Sequence, residues 1–224
     1  MLTPFQQEVA AILGEVTQDD DFAVGGGAAL QLHGVVDRVS KDIDAYTTSY
    51  DPAVYERVEK NMVTALTSRG YNVTVTKRLD WFRAMTITEP HTGEQVGIDL
   101  GVMSRAAPAE NMPPIGRVLA LTDVREGKLD ALLNRAAARD FTDIDALIQN
   151  GRWALDGIAT SIQTRHPETS IEEVAQAFES VSQVDTWEFS DLNMTDTDVK
   201  ELAQRFHDYA QQLTQLAASQ GTIS

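Results

Sequence analysis

The stretch Gly25 to Tyr46, GGGAALQLHGVVDRVSKDIDAY, constrains this chain more than any other. Three glycines precede an apolar run; Arg38 and Ser40 follow, then two aspartates, Asp42 and Asp44, with one residue between them. The alternation in KDIDAYT suits a β-strand. Side chains on a strand point alternately to its two faces, so Ser40, Asp42 and Asp44 share one face while Lys41, Ile43 and Ala45 take the other. Carboxylates held side by side repel each other unless a cation lies between them. Glycine lets the backbone approach a ligand closely, and the start of the helix read over AALQLHGVV favours an anion. A metal-bound polyphosphate satisfies both halves of the stretch.

The donor set narrows the metal. The chain has no cysteine, which excludes disulfides and thiolate zinc sites, and its four histidines are scattered. Oxygen-only ligands favour Mg²⁺ or Mn²⁺. A third carboxylate, Asp99 in VGIDLG, lies near the end of an apolar strand. If that strand pairs beside the one carrying Asp42 and Asp44, the three acids converge as metal ligands. This is the layout of two-metal phosphoryl-type transfer, with ions about 3.5–4 Å apart. Asp42 and Asp44 would hold the metals on a nucleotide, and Asp99 would help to activate an acceptor hydroxyl.

The elements around this stretch define the fold class. Thr3-Pro4 reads as a helix start, with the helix running to about Gln18. DPAVYERVEKNMVTALTSRG is an amphipathic helix capped by Asp51 and stopped at Gly70. YNVTVTK, WFRAMTITE and EQVGIDLGV are strands, with HTG turning between the last two, and SRAAPAENMPPIG is a loop. Helices are expected at roughly 122–135, 138–150, 152–165, 170–183 and 196–218. The class is α+β: a small mixed sheet with helices over 1–120, then a helical C-terminal part over 121–224 that completes the active-site cleft.

A second charged cluster sits in EGKLDALLNRAAARDFTDIDALI. If helical, Lys128, Arg135 and Arg139 fall at steps of seven and four, with Asp143 four further on and Asp140 beside it. Arg139–Asp143 is then an ordinary ion pair of modest strength, and on residue types alone that reading stands slightly ahead. The functional reading makes Lys128 a contact to a triphosphate, with Asp140 or Asp143 orienting the lysine or binding the base.

Charge limits the partners. With 18 basic and 34 acidic residues the net charge is −16, so phosphates are repelled at long range. An RNA substrate requires basic residues gathered locally, for which Arg38, Lys41, Lys77, Arg78 and Arg83 are candidates. No apolar run approaches the length of a membrane span, and MLTPFQQEVAAILGEV lacks the basic leader of a signal peptide. A cytoplasmic address is expected. Ser40 invites two readings: a hydrogen bond that orients the loop, and a modification site whose phosphate would compete with a nucleotide.

GGAALQLHGVVDRVSKDID resembles the first motif of the AbiEii-type nucleotidyltransferase toxins, G-G-x-A-L…R-x-S-x-D-I-D, and KLDALLNRAAARDFTDIDAL resembles their second, K-x-x-A-L-x-x-R…R-D-x-x-D. The resemblance covers about residues 24–148. It implies a DNA polymerase β-like nucleotidyltransferase core and Mg²⁺-dependent transfer of a nucleoside monophosphate from an NTP, releasing pyrophosphate. It further implies an RNA acceptor, with the tRNA 3′ end as the expected target, and a cognate antitoxin. Gly26, Gly27, Ser40, Asp42 and Asp44 match the first motif; Lys128, Arg135, Arg139, Asp140 and Asp143 match the second. Asp99 fits by its strand position alone. The resemblance moves the second cluster to the functional reading: Asp42, Asp44, Asp99, Lys128 and Asp140 as catalytic residues, and Gly26, Gly27, Ser40, Lys128, Arg139 and Asp143 as nucleotide contacts. The alternatives are transfer to a protein or small molecule, and a binding module without catalysis.

Overall fold

The structure, a computed structural model, describes residues 2–38 and 40–220; Val39 of the first motif and residues 221–224 lie outside them. The chain divides into two compact units, Met1–Val124 and Arg125–Ser224.

In the first unit, seven strands of the described residues form one mixed sheet in the order β3-β4-β5-β2-β1-β7-β6. They are β1 (Ala23–Val24), β2 (Asp42–Thr47), β3 (Asn72–Leu79), β4 (Phe82–Thr88), β5 (Gln95–Val102), β6 (Glu110–Met112) and β7 (Gly116–Val118). β2 and β5 run parallel at the centre, and β3, β4 and β5 are antiparallel neighbours. Helices α1 (Pro4–Val16), α2 (Gly26–Leu32) and α3 (Pro52–Ser68) accompany the sheet. Thr3 and Gln6 form a reciprocal cap at the start of α1, which satisfies two otherwise orphaned backbone donors. The Asp51 side chain accepts from the Ala53 N–H to start α3, whose Tyr55, Val58, Met62 and Leu66 recur at helical spacing and are buried.

One face of the sheet is closed. Ile43, Ala45, Met85, Ile87, Val96, Ile98 and Leu100 are buried there. Arg83 shares that face at 5% exposure: its Nε donates to Glu59 Oε2 at 2.9 Å, and its guanidinium lies 5.9 Å from the centre of the Tyr55 ring, both on α3. The opposite face carries the partly exposed residues of β2, β4 and β5.

Three expectations need correction here. The first helix ends at Val16, where Thr17 closes it, two residues before Gln18. SRAAPAENMPPIG is not wholly loop: β6 and β7 pair antiparallel within and just after it, and β7 joins β1 through Val24↔Val118. Three-residue strands are too short to show an alternation. The helix read over AALQLHGVV starts earlier and ends earlier, at Gly26 and Leu32, so Gly26 and Gly27 form its first turn.

Helix α4 (Leu121–Arg135) leads from the first unit into the second, which contains α5 (Ala138–Gln149), α6 (Leu155–Arg165), α7 (Ile171–Glu179), a 3₁₀ turn (Ser180–Gln183), α8 (Thr186–Ser190) and α9 (Asp196–Gln220). α6 starts later than expected because Gly151, at φ +63°, ends the preceding helix in a left-handed turn and chain from Arg152 wraps back onto Leu147. The expected 170–183 helix tightens to 3₁₀ after Glu179, and α8 was not anticipated. The core of this unit centres on Phe206 of α9. Its ring meets Phe141 and Phe178, each at 5.1 Å, and Tyr209 at 5.5 Å, all near-perpendicular. Tyr209 donates to Asp145 at 2.9 Å and accepts from Gln149 Nε2 at 2.6 Å, while Arg205 grips Asp145 with two nitrogens at 2.8 and 2.9 Å.

Phe206→Ala is expected to destabilise the second unit by about 3–5 kcal/mol, read as a lower denaturant midpoint; a loss under about 1 kcal/mol would show that the aromatic cluster is not its core. Burial, the largest cause, pushes the Tyr209 phenol from 10.0 up to about 12. A raised phenol stabilises the folded state below its unfolded pKa, and that contribution fades as pH climbs through the folded one. Stability should therefore fall between about pH 10 and 12, with a shallower fall in Tyr209→Phe; identical slopes in the two proteins would contradict this.

Candidate active site

Alternation sets the first part of the site. On β2, Asp42, Asp44 and Tyr46 are partly exposed while Ile43, Ala45 and Thr47 are buried. On β5, Gly97 and Asp99 alternate with buried Val96, Ile98 and Leu100. The parallel register sets Asp44 opposite Asp99 and Asp42 opposite Gly97. All three acids thus stand on the open face, and Asp44 and Asp99 are neighbours across strands about 4.8 Å apart.

Glycines make that arrangement possible. A Cβ at Gly97 would lie 2.2 Å from Asp42 Oδ1, and one at Gly26 would lie 1.9 Å from Asp44 Oδ2. Gly26 also has φ +56°, a left-handed backbone that side chains disfavour. A Cβ at Gly27 would come 2.9 Å from Ser40 Oγ and 3.4 Å from an Arg38 guanidinium nitrogen. The Tyr46 ring lies against both Gly25 and Gly101, where added Cβ atoms would approach it to 2.7 and 3.3 Å. Each half-exposed side chain of β2 stands in a space left by a missing methyl group. The sequence reading missed Gly97, although a glycine inside an apolar strand signals a close approach.

Ser40 is buried at 8% exposure. Its hydroxyl donates to the Asp42 carbonyl at 2.9 Å, and its own carbonyl accepts from Gln6 Nε2 at 2.5 Å. It pins the entry to β2 against α1.

The three carboxylates share a face without closing on one point. Asp42 leans over Gly97 and Asp44 over Gly26, and among the described residues no group of three or more histidine, cysteine or acidic side chains is arranged to hold a metal ion. The expected convergence takes the form of this shared face. The donor set nonetheless fits a hard divalent ion. Such an ion needs only one or two protein carboxylates and takes its remaining ligands from water and phosphate oxygens.

The second motif lies in the second unit, on two helices close to the expected bounds. α4 stops at Arg135, Ala136 takes φ +47°, and α5 starts at Ala138. The turn breaks the expected stripe and sets the charged partners. Lys128 Nζ meets Asp143 Oδ2 at 2.7 Å, with Lys128 6% and Asp143 0% exposed. Arg135 Nε and Nη2 each reach Asp140 at 2.8 Å, and Asp140 also accepts from the Ala137 N–H at 3.3 Å. Asp140 therefore clamps the turn, Asp143 holds Lys128, and Arg139 is exposed.

Of the basic residues considered for RNA, Arg78 is bound by Glu59 in a two-nitrogen grip, and Arg83 is on the closed face. Lys77 is where strict alternation would not put it. β3 carries a bulge between Val75 and Lys77, and the extra residue turns Lys77 onto the open face. The row across the sheet reads Lys77, Ala84, Asp99, Asp44.

The sequence matches the family described as "Nucleotidyl transferase AbiEii toxin, Type IV TA system" over residues 9–219. None of the curated proteins matches it by sequence. Among solved structures it is similar to a candidate nucleotidyltransferase from H. pylori, at 16% identity over 95% of each chain with a TM-score of 0.59. It is also similar to JHP933 from Helicobacter pylori, at 15% identity over 99% of this chain and 97% of that one, TM-score 0.54. The nucleotidyltransferase toxin MenT4 from Mycobacterium tuberculosis H37Rv aligns at 15% identity over 92% and 82% of the two chains, TM-score 0.48. The two Helicobacter structures establish a shared fold.

Gly97→Ala is expected to displace Asp42 while preserving the strand. Nucleotidyl transfer should fall by up to about a hundredfold, the scale of a misplacement near 1 Å, at a stability cost of about 1–3 kcal/mol. Gly101→Ala, which meets only the Tyr46 ring at 3.3 Å, is the control and should lose far less activity. Equal activities in the two variants would show that the fit of Asp42 over Gly97 is irrelevant to the reaction.

Proposed function

We propose, for a chain that belongs to the AbiEii family of nucleotidyltransferase toxins of type IV toxin–antitoxin systems, that its acceptor is RNA and that the tRNA 3′ end is its target. The family makes the chain a nucleotidyltransferase, with an NTP as substrate and an antitoxin as partner. The observation that supports our reading best is the register of Asp44 against Asp99, with Asp42 on the same face and Gly26 giving Asp44 its room.

Asp42, Asp44 and Asp99 would hold Mg²⁺ or Mn²⁺. When bound there, such an ion would supply neutralisation of the triphosphate and of the charge that develops on attacking and leaving oxygens. Gly26 and Gly27 let the backbone lie close to the phosphates, and Ser40 keeps the entry to β2 fixed. Asp99 takes the proton of the acceptor hydroxyl as its oxygen forms a bond to the α-phosphorus. The bond from that phosphorus to the bridging oxygen breaks, and pyrophosphate leaves. In the second unit Asp143 holds Lys128 and Asp140 maintains the turn beside it, and the resemblance implies nucleotide contacts at Lys128 and Arg139. The gain comes from positioning and charge neutralisation, without a covalent enzyme intermediate. No helix among the described residues is long and apolar enough to cross a membrane, and the cytoplasm is where NTP and tRNA are both found.

Asp42→Asn and Asp44→Ala are each expected to abolish transfer of labelled NMP to total RNA and to relieve growth inhibition. A double aspartate variant that still arrests growth would end this reading. Label appearing on protein or on a small molecule, with RNA unlabelled in the same reaction, would replace the acceptor but keep the chemistry.

A further inference from the structure

Three of the large apolar side chains that the sheet unit leaves exposed lie together. Tyr50 is 62%, Leu79 54% and Trp81 48% exposed. Tyr50 follows the C-terminal end of β2, and Trp81 sits in the turn between β3 and β4. Their rings meet edge to face at 5.4 Å and 80°. Exposed aromatic pairs of this kind mark binding surfaces, because burying them elsewhere would have been favourable.

The register relates this patch to the acids. Lys77 shares the row of Ala84, Asp99 and Asp44. The next residues on the same face are Leu79 paired with Phe82 and Gly101 paired with Tyr46. One such step along a strand pair is about 7 Å and each strand adds about 4.8 Å across the sheet, so Leu79, two strands from Asp99 and three from Asp44, lies roughly 12 to 16 Å from them, the reach of a few unpaired nucleotides. Lys77 Nζ stands over the Phe82 ring, 5.4 Å from its centre, setting a cation at the edge of the aromatic surface.

Charge indicates what the patch could hold. The chain carries −16, and Asp80 is exposed in the same turn as Trp81. Electrostatic attraction cannot supply most of the affinity for a polyanion. Stacking of unpaired bases on aromatic rings can, since every base offers a π-face. Two rings and a leucine expose far less apolar surface than a stable protein interface buries.

We propose that Tyr50 and Trp81, with Lys77 beside them, form the platform on which the unpaired 3′-terminal bases of the RNA acceptor stack, delivering its terminal hydroxyl to the acids. This rests on reading Asp42, Asp44 and Asp99 as the catalytic acids. The bulge in β3 is then part of the substrate site, because it turns Lys77 toward the strand's phosphates.

The test uses Trp81 as its own reporter in a Trp187→Phe background, since Trp187 is the other exposed tryptophan at 62% and Trp153 is buried. A short single-stranded oligoadenylate with a free 3′ hydroxyl should quench Trp81 fluorescence. The apparent affinity should depend weakly on salt, with a log–log slope near −0.7, as one phosphate contact gives. Tyr50→Ala and Trp81→Ala should each raise KM for RNA roughly tenfold with kcat little changed, and Trp81→Phe should recover most of that loss. An unchanged KM for RNA in both alanine variants would overturn the platform. So would quenching by the antitoxin and not by the oligoadenylate, which would make the patch a protein-docking surface. Asp44→Ala separates the two claims: it should stop transfer yet leave quenching intact. Transfer surviving in that variant brings down the catalytic reading, and quenching absent from the wild-type background brings down the platform.

Discussion

The fit between β2 and the glycines around it is the constraint on which the site depends. Asp42, Asp44 and Tyr46 project from one face, and Gly97, Gly26, Gly25 and Gly101 are the backbone positions they would otherwise strike. Two of these contacts involve carboxylate oxygens closer than 2.5 Å to where a methyl would be. A protein interior is packed closely enough that such overlaps cannot be absorbed without moving something. The glycines therefore fix where the acids point before any ligand arrives, and the left-handed turn at Gly26 fixes the start of α2 against the same strand.

The two faces of the sheet divide the work. The closed face buries aliphatic residues and a charged knot in which Glu59 accepts from Arg78 and Arg83. Removing Arg83 would leave Glu59, itself 14% exposed at its side chain, short of a partner, which is costlier than the pair is stabilising. The open face brings carboxylates together on two adjacent strands, which costs free energy unless a cation or a donor compensates it. Such local conflicts with folding rules are where function is expected. In the second unit three aspartates have charged partners: Asp140 with Arg135, Asp143 with Lys128 and Asp145 with Arg205.

Much of the first unit's pattern is legible in the sequence because a strand's period is two. That periodicity puts Asp42 and Asp44 on one face, and the apolar run around Asp99 marks a buried neighbour. Gly97 was legible too, as a glycine interrupting VGIDLG, but only its meeting with Asp42 reveals its role. The bulge in β3 left no signature, since one inserted residue in NVTVTK resembles ordinary alternation, and so the facing of Lys77 was not readable. The break at Ala136 was legible as the gap between the helices expected at 122–135 and 138–150, but its cause was not: Arg135 and the Ala137 N–H converge on Asp140. The exposed pairing of Tyr50 with Trp81 depends on chain reversal between distant segments and could not be read locally.

The central claim is that the acids of β2 and β5 hold a divalent cation on a triphosphate. Paramagnetic broadening of backbone amide resonances by Mn²⁺, added substoichiometrically with a non-hydrolysable NTP analogue, tests it directly. The account predicts that Asp42 to Tyr46, Gly97 to Asp99 and the Gly25 to Gly27 turn broaden first. Broadening centred elsewhere, or uniform over the acidic surface, would contradict it.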